Sequence, residues 1–223
     1  AYSIEAYPQL LLVLGAVVIV FASSLPDIRP QTKTTRKLAF LELFKLPGFA
    51  AVVTVSALIQ ASHGALYGIG TLHWLEAGIS ESIIGLLWAQ GVAAEVVLFA
   101  IGFWLLKKVG VKGLLWMAVI GGTIRWILLG WSTDVGLLFT VQILHAFTFA
   151  ATHLAMTQYI TQKVPDQLTA SAQTLYDALA LGALMGISMT LAGGLYGYIS
   201  GQVFWVMALI SIAAGLVLKR FKW

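Results

Sequence analysis

Seven stretches of this chain are apolar for long enough to cross a bilayer, and that repetition limits the fold more than any other feature. They run approximately over 8–25, 48–72, 82–106, 113–131, 135–162, 167–192 and 202–218. A hydrocarbon core about 30 Å thick takes about 20 helical residues. Within it every backbone N–H and C=O must bond inside its own segment, so runs of this length read as helices. The composition agrees. With 60% hydrophobic and 10% charged residues and a mean hydropathy of +0.92, the chain has too few charges to cover the surface of a soluble domain. The sequence predicts an all-α membrane protein with seven transmembrane helices.

Lysine and arginine set the orientation. Arg29, Lys33, Arg36, Lys37 and Lys45 precede the second run, and Lys107, Lys108 and Lys112 follow the third. Lys163 follows the fifth, and Lys219, Arg220 and Lys222 follow the seventh. These are twelve of the thirteen basic residues; the other, Arg125, lies within a run. The opposite loops hold Glu5, Glu76, Glu81 and Asp134 and no basic residue. By the positive-inside rule the N-terminus of this piece is outside and its C-terminus cytoplasmic. The pI near 9.4 therefore reflects topology and not a nucleic-acid-binding patch. The lack of cysteine removes disulfides and thiol metal sites. No nucleophile–base pair or metal-ligand set stands out, so neither an enzyme nor a cofactor or metal is expected.

The longest and most basic connection, 26–47, opens with Pro26-Asp27-Ile28-Arg29-Pro30, which cannot continue a helix. It closes with the amphipathic stretch from Lys37 to Lys45, suited to the membrane interface. One helix before this loop and six short-looped helices after it suggest one half of a two-half transporter. On that reading 1–25 is the last helix of a missing N-terminal half, 26–47 the central cytoplasmic loop, 48–218 a six-helix bundle and 219–223 a cytoplasmic tail. The partners would be that half, the lipid bilayer, a small-molecule substrate and protons. A seven-helix receptor or photoreceptor shares the topology, but 202–218 holds no Lys for a retinal Schiff base.

Four titratable groups lie deep inside the runs: Glu95, Arg125, His145 and Asp177. Glu95, His145 and Asp177 lie about 10 or 11 residues from the nearer end and Arg125 about 12 residues from the start of its run, or roughly 15–18 Å into each helix. A Glu, Asp or Arg at the bilayer centre costs about 2.5–3.5 kcal/mol, so three facing lipid would cost about 9 kcal/mol. Such groups are expected to face one another in a common cavity, on a path for a solute or proton. Around them, Gln60, Tyr67, Trp88, Gln142, Phe149 and Tyr176 fall at helical spacings that put them on the same faces; these are the candidate substrate-binding residues. The simpler alternatives are an ion pair of Arg125 with Glu95 or Asp177 that only locks helices, and structural hydrogen bonding by His63 and His153. Trp74 reads as an interfacial belt residue, and Gly64-x-x-x-Gly68, Gly182-x-x-x-Gly186 and Gly193-x-x-x-Gly197-x-x-x-Gly201 as close-packing surfaces.

Charge counting suggests a mechanism. With His145 neutral, Glu95, Asp177 and Arg125 sum to minus one, so one proton neutralises the set. Burial favours the neutral form of a carboxyl group, which makes Glu95 or Asp177 the proton carrier. Alternatively an anionic substrate could be held by Arg125 and a protonated His145.

Several stretches carry a resemblance to a known family: Ser62-His63-Gly64-Ala65-Leu66-Tyr67-Gly68, Leu87-Trp88-Ala89-Gln90-Gly91-Val92-Ala93-Ala94-Glu95-Val96 and Gly122-Thr123-Ile124-Arg125-Trp126. Gln142-Ile143-Leu144-His145-Ala146-Phe147-Thr148-Phe149 and Val203-Phe204-Trp205-Val206-Met207-Ala208 add to it. The chain resembles the C-terminal half of a major facilitator superfamily transporter, within the phenylpropionate permease group related to lactose-permease-like proton symporters. The resemblance implies a bundle of two inverted three-helix repeats in a bacterial inner membrane. It also implies proton-coupled symport of a small organic solute, an aromatic carboxylate before a sugar or nucleoside. Glu95, Arg125 and His145 match that family's coupling cluster by helix and depth. The match departs at Thr148, where those symporters carry a second Glu, and the basic loop signature survives only as Lys108-Val109-Gly110-Val111-Lys112.

Overall fold

The computed structural model describes residues 6–24 and 39–220. The 26–30 turn, the basic residues Arg29, Lys33, Arg36, Lys37 and Lys222, and Glu5 lie outside the described residues. The chain divides into two units, Ala1–Thr35 and Arg36–Trp223. The first contributes one α-helix, Ala6–Ser23, of 18 residues, about 27 Å long at 1.5 Å per residue.

Every described element of the second unit is helical. A short helix, Ala39–Leu43, turns Ala39 and Leu43 inward and leaves Phe40 and Leu41 exposed. Four continuous helical stretches are long and apolar enough to cross a membrane: Phe49–Glu76, Glu81–Trp131, Val135–Lys163 and Asp166–Arg220. Two of these, of 51 and 55 residues, would measure about 75–85 Å if straight. Each is broken once. Gly110 takes φ 67, ψ 179, a conformation open essentially only to glycine. Ser200 takes φ 45, ψ −133 and introduces a short 3-10 turn, Ser200–Gln202. Both breaks fall in expected connections, but the helices run past the expected ends, to the flank of Gly110 and to Ile199. Hydropathy marks where lipid ends, whereas helical hydrogen bonding continues through Lys107 and Lys108.

Burial is layered along the bundle. One apolar cluster holds Leu43, Phe49, Val52, Leu98, Leu114, Val119, Met156, Tyr176 and Leu218. A second holds Leu66, Trp74, Leu87, Trp126, Leu138, Val141, Phe204 and Met207. Between them, on one helix after another, comes a polar position: Gln60 and His63, Arg125, Gln142 and His145, Ser188, and Ser211, each at most 5% exposed. The exposed face is apolar: Leu86 is 59%, Phe103 82% and Ile187 55% exposed. Water would penalise that surface and lipid does not, which fits an integral membrane protein.

Two sequence expectations need correction. Trp74 is fully buried and packs on Trp88 at 6.1 Å between ring centroids, because the helix continues to Glu76 and folds that ring back into the bundle. Of the small-residue motifs, Gly64 packs against Ser188, Gly68 against Met189 and Gly201 against the His73 ring. Gly186, Gly193 and Gly197 have no atom within 4 Å of a built Cβ; their side of the helix is exposed, so they bring no backbones together within this unit.

Candidate functional site

The site lies in the polar layer between the two apolar clusters. It is built on the 49–76 helix, the 81–131 helix on both sides of Gly110, and the 135–163 helix. Three helices leave α-geometry close to it, with π-helical turns at Leu66–Gly70, Ala146–Ala151 and Asp177–Ala183. Such turns spoil one regular backbone bond and cluster at functional sites.

Arg125 is the centre. It has no exposed surface, yet among the described residues it touches no carboxylate directly. Its Nη1 donates to His145 Nδ1 at 2.7 Å and to Thr148 Oγ1 at 3.0 Å. Its Nη2 donates to Gln142 Oε1 at 2.8 Å, and Gln142 Nε2 donates in turn to the Leu87 carbonyl at 3.0 Å. The guanidinium also lies over the Trp126 ring, 4.7 Å from its centroid. Among the described residues its Nε is left without a partner.

His145 connects this cation to Glu95. Guanidinium nitrogens only donate, so Nδ1 of His145 is an acceptor and its proton sits on Nε2. That nitrogen lies 2.6 Å from Glu95 Oε1 and donates to it. The resulting order is cation, neutral imidazole, carboxylate. A protonated His145 has no lone pair for Arg125, so the expected pair of Arg125 and imidazolium around an anion does not fit this arrangement. A direct Arg125–Glu95 ion pair is likewise replaced by one bridged through the ring. The three groups are packed together and not spread around an open cavity: the His145 side chain is 6% exposed and that of Glu95 15%.

His63 completes the cluster. It has no exposed surface. Its Nδ1 lies 3.1 Å from the carbonyl oxygens of both Ile59 and Gln60, and its Nε2 lies 3.0 Å from Thr148 Oγ1. Its ring stacks on Tyr67 at 5.5 Å and meets the edge of His145 at 5.2 Å. Tyr67 stacks in turn on Trp88 at 5.8 Å, and Phe149 lies against His145 at 5.7 Å. Tyr67, Trp88 and Phe149 are partly exposed and form an aromatic wall beside Glu95's helix face. Sequence reading gave Thr148 only as a departure from a pattern and His63 as a structural group. Their contact joins residues 85 apart in the chain, and only an expectation of which helices pack together could have revealed it.

The other expected residues are placed differently. Gln142 is spent inside the cluster. Gln60 is fully buried and donates from Nε2 to the Tyr176 hydroxyl at 3.3 Å, and its Oε1 lacks a partner among the described residues. Asp177 does not join. It is exposed, and among the described residues it makes no hydrogen bond or ion pair with Glu95, Arg125 or His145. The buried stripe of its helix is Leu168, Ala172, Tyr176 and Ala180, four residues apart. Position 177 therefore points about 100° away. With Asp177 outside, the cluster's charges are Glu95 and Arg125, which sum to zero and not to minus one.

Comparison with known proteins adds to this geometry. The model of the MFS_1 like family matches residues 1–207. The Probable 3-phenylpropionic acid transporter of Escherichia coli (strain K12) is 36% identical over 211 residues, covering 92% of this chain and 55% of that protein. The Uncharacterized transporter YwbF of Bacillus subtilis (strain 168) is 24% identical over 209 residues, covering 92% of this chain and 52% of that protein. The chain spans about half the length of the curated relatives it matches.

Proposed function

Because this chain belongs to the MFS_1 like family of transporters, we propose that it forms the C-terminal half of a proton-coupled symporter for a small organic solute. Membership also sets aside the enzyme and receptor alternatives, since the named relatives are transporters. In this reading 48–218 is a six-helix bundle of two inverted three-helix repeats, preceded by the last helix of the other half. The breaks at Gly110 and Ser200, with the ends of the four long helices, support six segments. The basic residues argue for a cytoplasmic C-terminus in a bacterial inner membrane.

The observation that carries the coupling mechanism is the chain Arg125–His145–Glu95 inside an otherwise apolar bundle. Empty, it is neutral overall. A substrate carboxylate brings one negative charge into the same low-dielectric layer, where an uncompensated charge is costly. One proton restores the balance, so substrate and proton bind together more readily than either alone. Glu95, which keeps some exposure at the edge of the cluster, is the proton acceptor, and Arg125 and His145 set its environment. Tyr67, Trp88 and Phe149 supply stacking surface for an aromatic ring, consistent with the relative named for 3-phenylpropionic acid. Gln142 holds Arg125 in the cluster, and Gln60 and Tyr176 bond to each other beside it. Aromatic rings stack on sugars as well, so a sugar or nucleoside is the competing substrate class.

The test is uptake by the full-length transporter in sealed vesicles. An imposed inward proton gradient should drive accumulation of 3-phenylpropionate, and adding this substrate without a gradient should draw protons inward. Accumulation of lactose or a nucleoside instead would move the substrate class. Uptake indifferent to the gradient would remove proton coupling.

A further inference from the structure

Taking the proposed transport function as given, we infer that His63 is a positioning residue. Acting through the Thr148 hydroxyl, it anchors the Arg125 guanidinium from which the hydrogen bonds that end at Glu95 begin.

The argument follows donors and acceptors from one end of the cluster to the other. Both groups near His63 Nδ1 are carbonyl oxygens, those of Ile59 and Gln60 at 3.1 Å. A carbonyl only accepts, so Nδ1 carries a proton. In the neutral ring Nε2 is then a bare acceptor, directed at Thr148 Oγ1 3.0 Å away. Threonine has one hydroxyl proton. Donated to His63, it leaves the oxygen's lone pairs to receive Arg125 Nη1 at 3.0 Å. Polarisation along such a chain strengthens each bond. Arg125, anchored there, also covers His145 Nδ1 at 2.7 Å, and this forces the His145 proton onto Nε2, facing Glu95. The two histidines therefore hold opposite tautomers, and the first acts on the second only by holding Arg125 in place through Thr148.

The surroundings oppose a charging role for His63. The titratable groups that face it are Arg125 on one neighbouring helix, His145 on another, and Tyr67 on its own. Its remaining ring neighbours are Trp126 and Phe149. A second cation in that setting would stand beside Arg125 with no carboxylate among the described residues in contact. Thr148 also has a second pair of acceptors, the carbonyl oxygens of Leu144 at 3.4 Å and His145 at 3.2 Å. If His63 cannot accept, the hydroxyl turns to its own helix, its lone pairs turn with it, and Arg125 loses the anchor that holds it on His145 Nδ1. The histidine thus selects between two states of one hydroxyl.

The test uses the full-length transporter, with nitrogen-15-labelled histidine observed by solid-state NMR in lipid. Wild type should show one neutral histidine protonated at Nδ1 and another at Nε2, assigned by loss of signal in H63F and in a His145 variant. His63→Phe keeps the ring volume, and Thr148→Val is isosteric, so both should fold. In each, the His145 signal should become a mixture of tautomers, and Thr148→Ser should restore it. Substrate exchange should fall about tenfold in H63F and in T148V, and again about tenfold, not a hundredfold, in the double variant, because the two act in one chain. An unchanged His145 tautomer in T148V, or fully additive losses, would overturn the inference. The tautomer measurement is independent of proton coupling, so its outcome stands apart from that of the uptake test.

Discussion

Gly91 lies so close to His145 that a Cβ built on it would sit 3.2 Å from the imidazole Cδ2. This glycine leaves the room in which the ring spans from Arg125 to Glu95. Gly91→Val should push the ring away and lengthen one of its two hydrogen bonds, while leaving both apolar clusters intact. Substrate exchange should drop by tenfold or more, with an overpacking cost of about 1–3 kcal/mol. Exchange assays and thermal unfolding in detergent would check the two effects separately, and Gly91→Ala should be milder in both.

Glu95→Gln keeps the shape and an acceptor for His145 Nε2 but cannot bind and release a proton. It should abolish uphill, gradient-driven accumulation while sparing exchange at equal pH. Asp177→Asn should leave accumulation near wild type, because Asp177 is exposed and makes no hydrogen bond or ion pair with the cluster. Paired uptake measurements on the two variants decide between the carboxylates. Loss of coupling in the Asp177 variant alone would transfer the proton to that residue.

Arg125→Ala should be the most damaging change. It leaves Gln142 Oε1, Thr148 Oγ1 and His145 Nδ1 without their donor and Glu95 without a counter-charge in a buried layer. A loss of about 3–5 kcal/mol is expected for breaking a buried charged set by removing one member. Thermal unfolding should show it even where expression is kept, and exchange should be absent.

Gly110→Ala tests the backbone alone, since a Cβ there has nothing within 4 Å. The φ of 67 with ψ of 179 should cost about 1–3 kcal/mol in any other residue. The expected outcome is a lower unfolding temperature with an unchanged substrate KM.

Glu95, Arg125 and His145 could be picked out in the sequence because a charge inside an apolar run is costly wherever the helix faces, so depth alone marks it. The four long apolar helices of the second unit, two of them broken at Gly110 and Ser200, were legible for the same reason, except at their ends, where apolarity stops before hydrogen bonding does. What a helix faces is a different matter. Asp177 has the right depth but sits one residue past the buried Tyr176, at the first residue of a π-turn that alters the register. His63 has an ordinary sequence neighbourhood, and its role comes from Thr148 and Arg125 on helices that no spacing connects to it. Trp74 was misplaced because an aromatic at the end of a run looks the same whether it meets lipid headgroups or another tryptophan.

The polar layer between the two apolar clusters also has a mechanical side. The π-turns at Leu66–Gly70, Ala146–Ala151 and Asp177–Ala183 lie close to that layer, and each has already given up regular backbone bonding there. Flexing these helices at the turns breaks fewer regular bonds than flexing them where the α-helix is unbroken. The Ala146–Ala151 turn begins one residue after His145, so a bend there acts directly on the contact between His145 and Glu95.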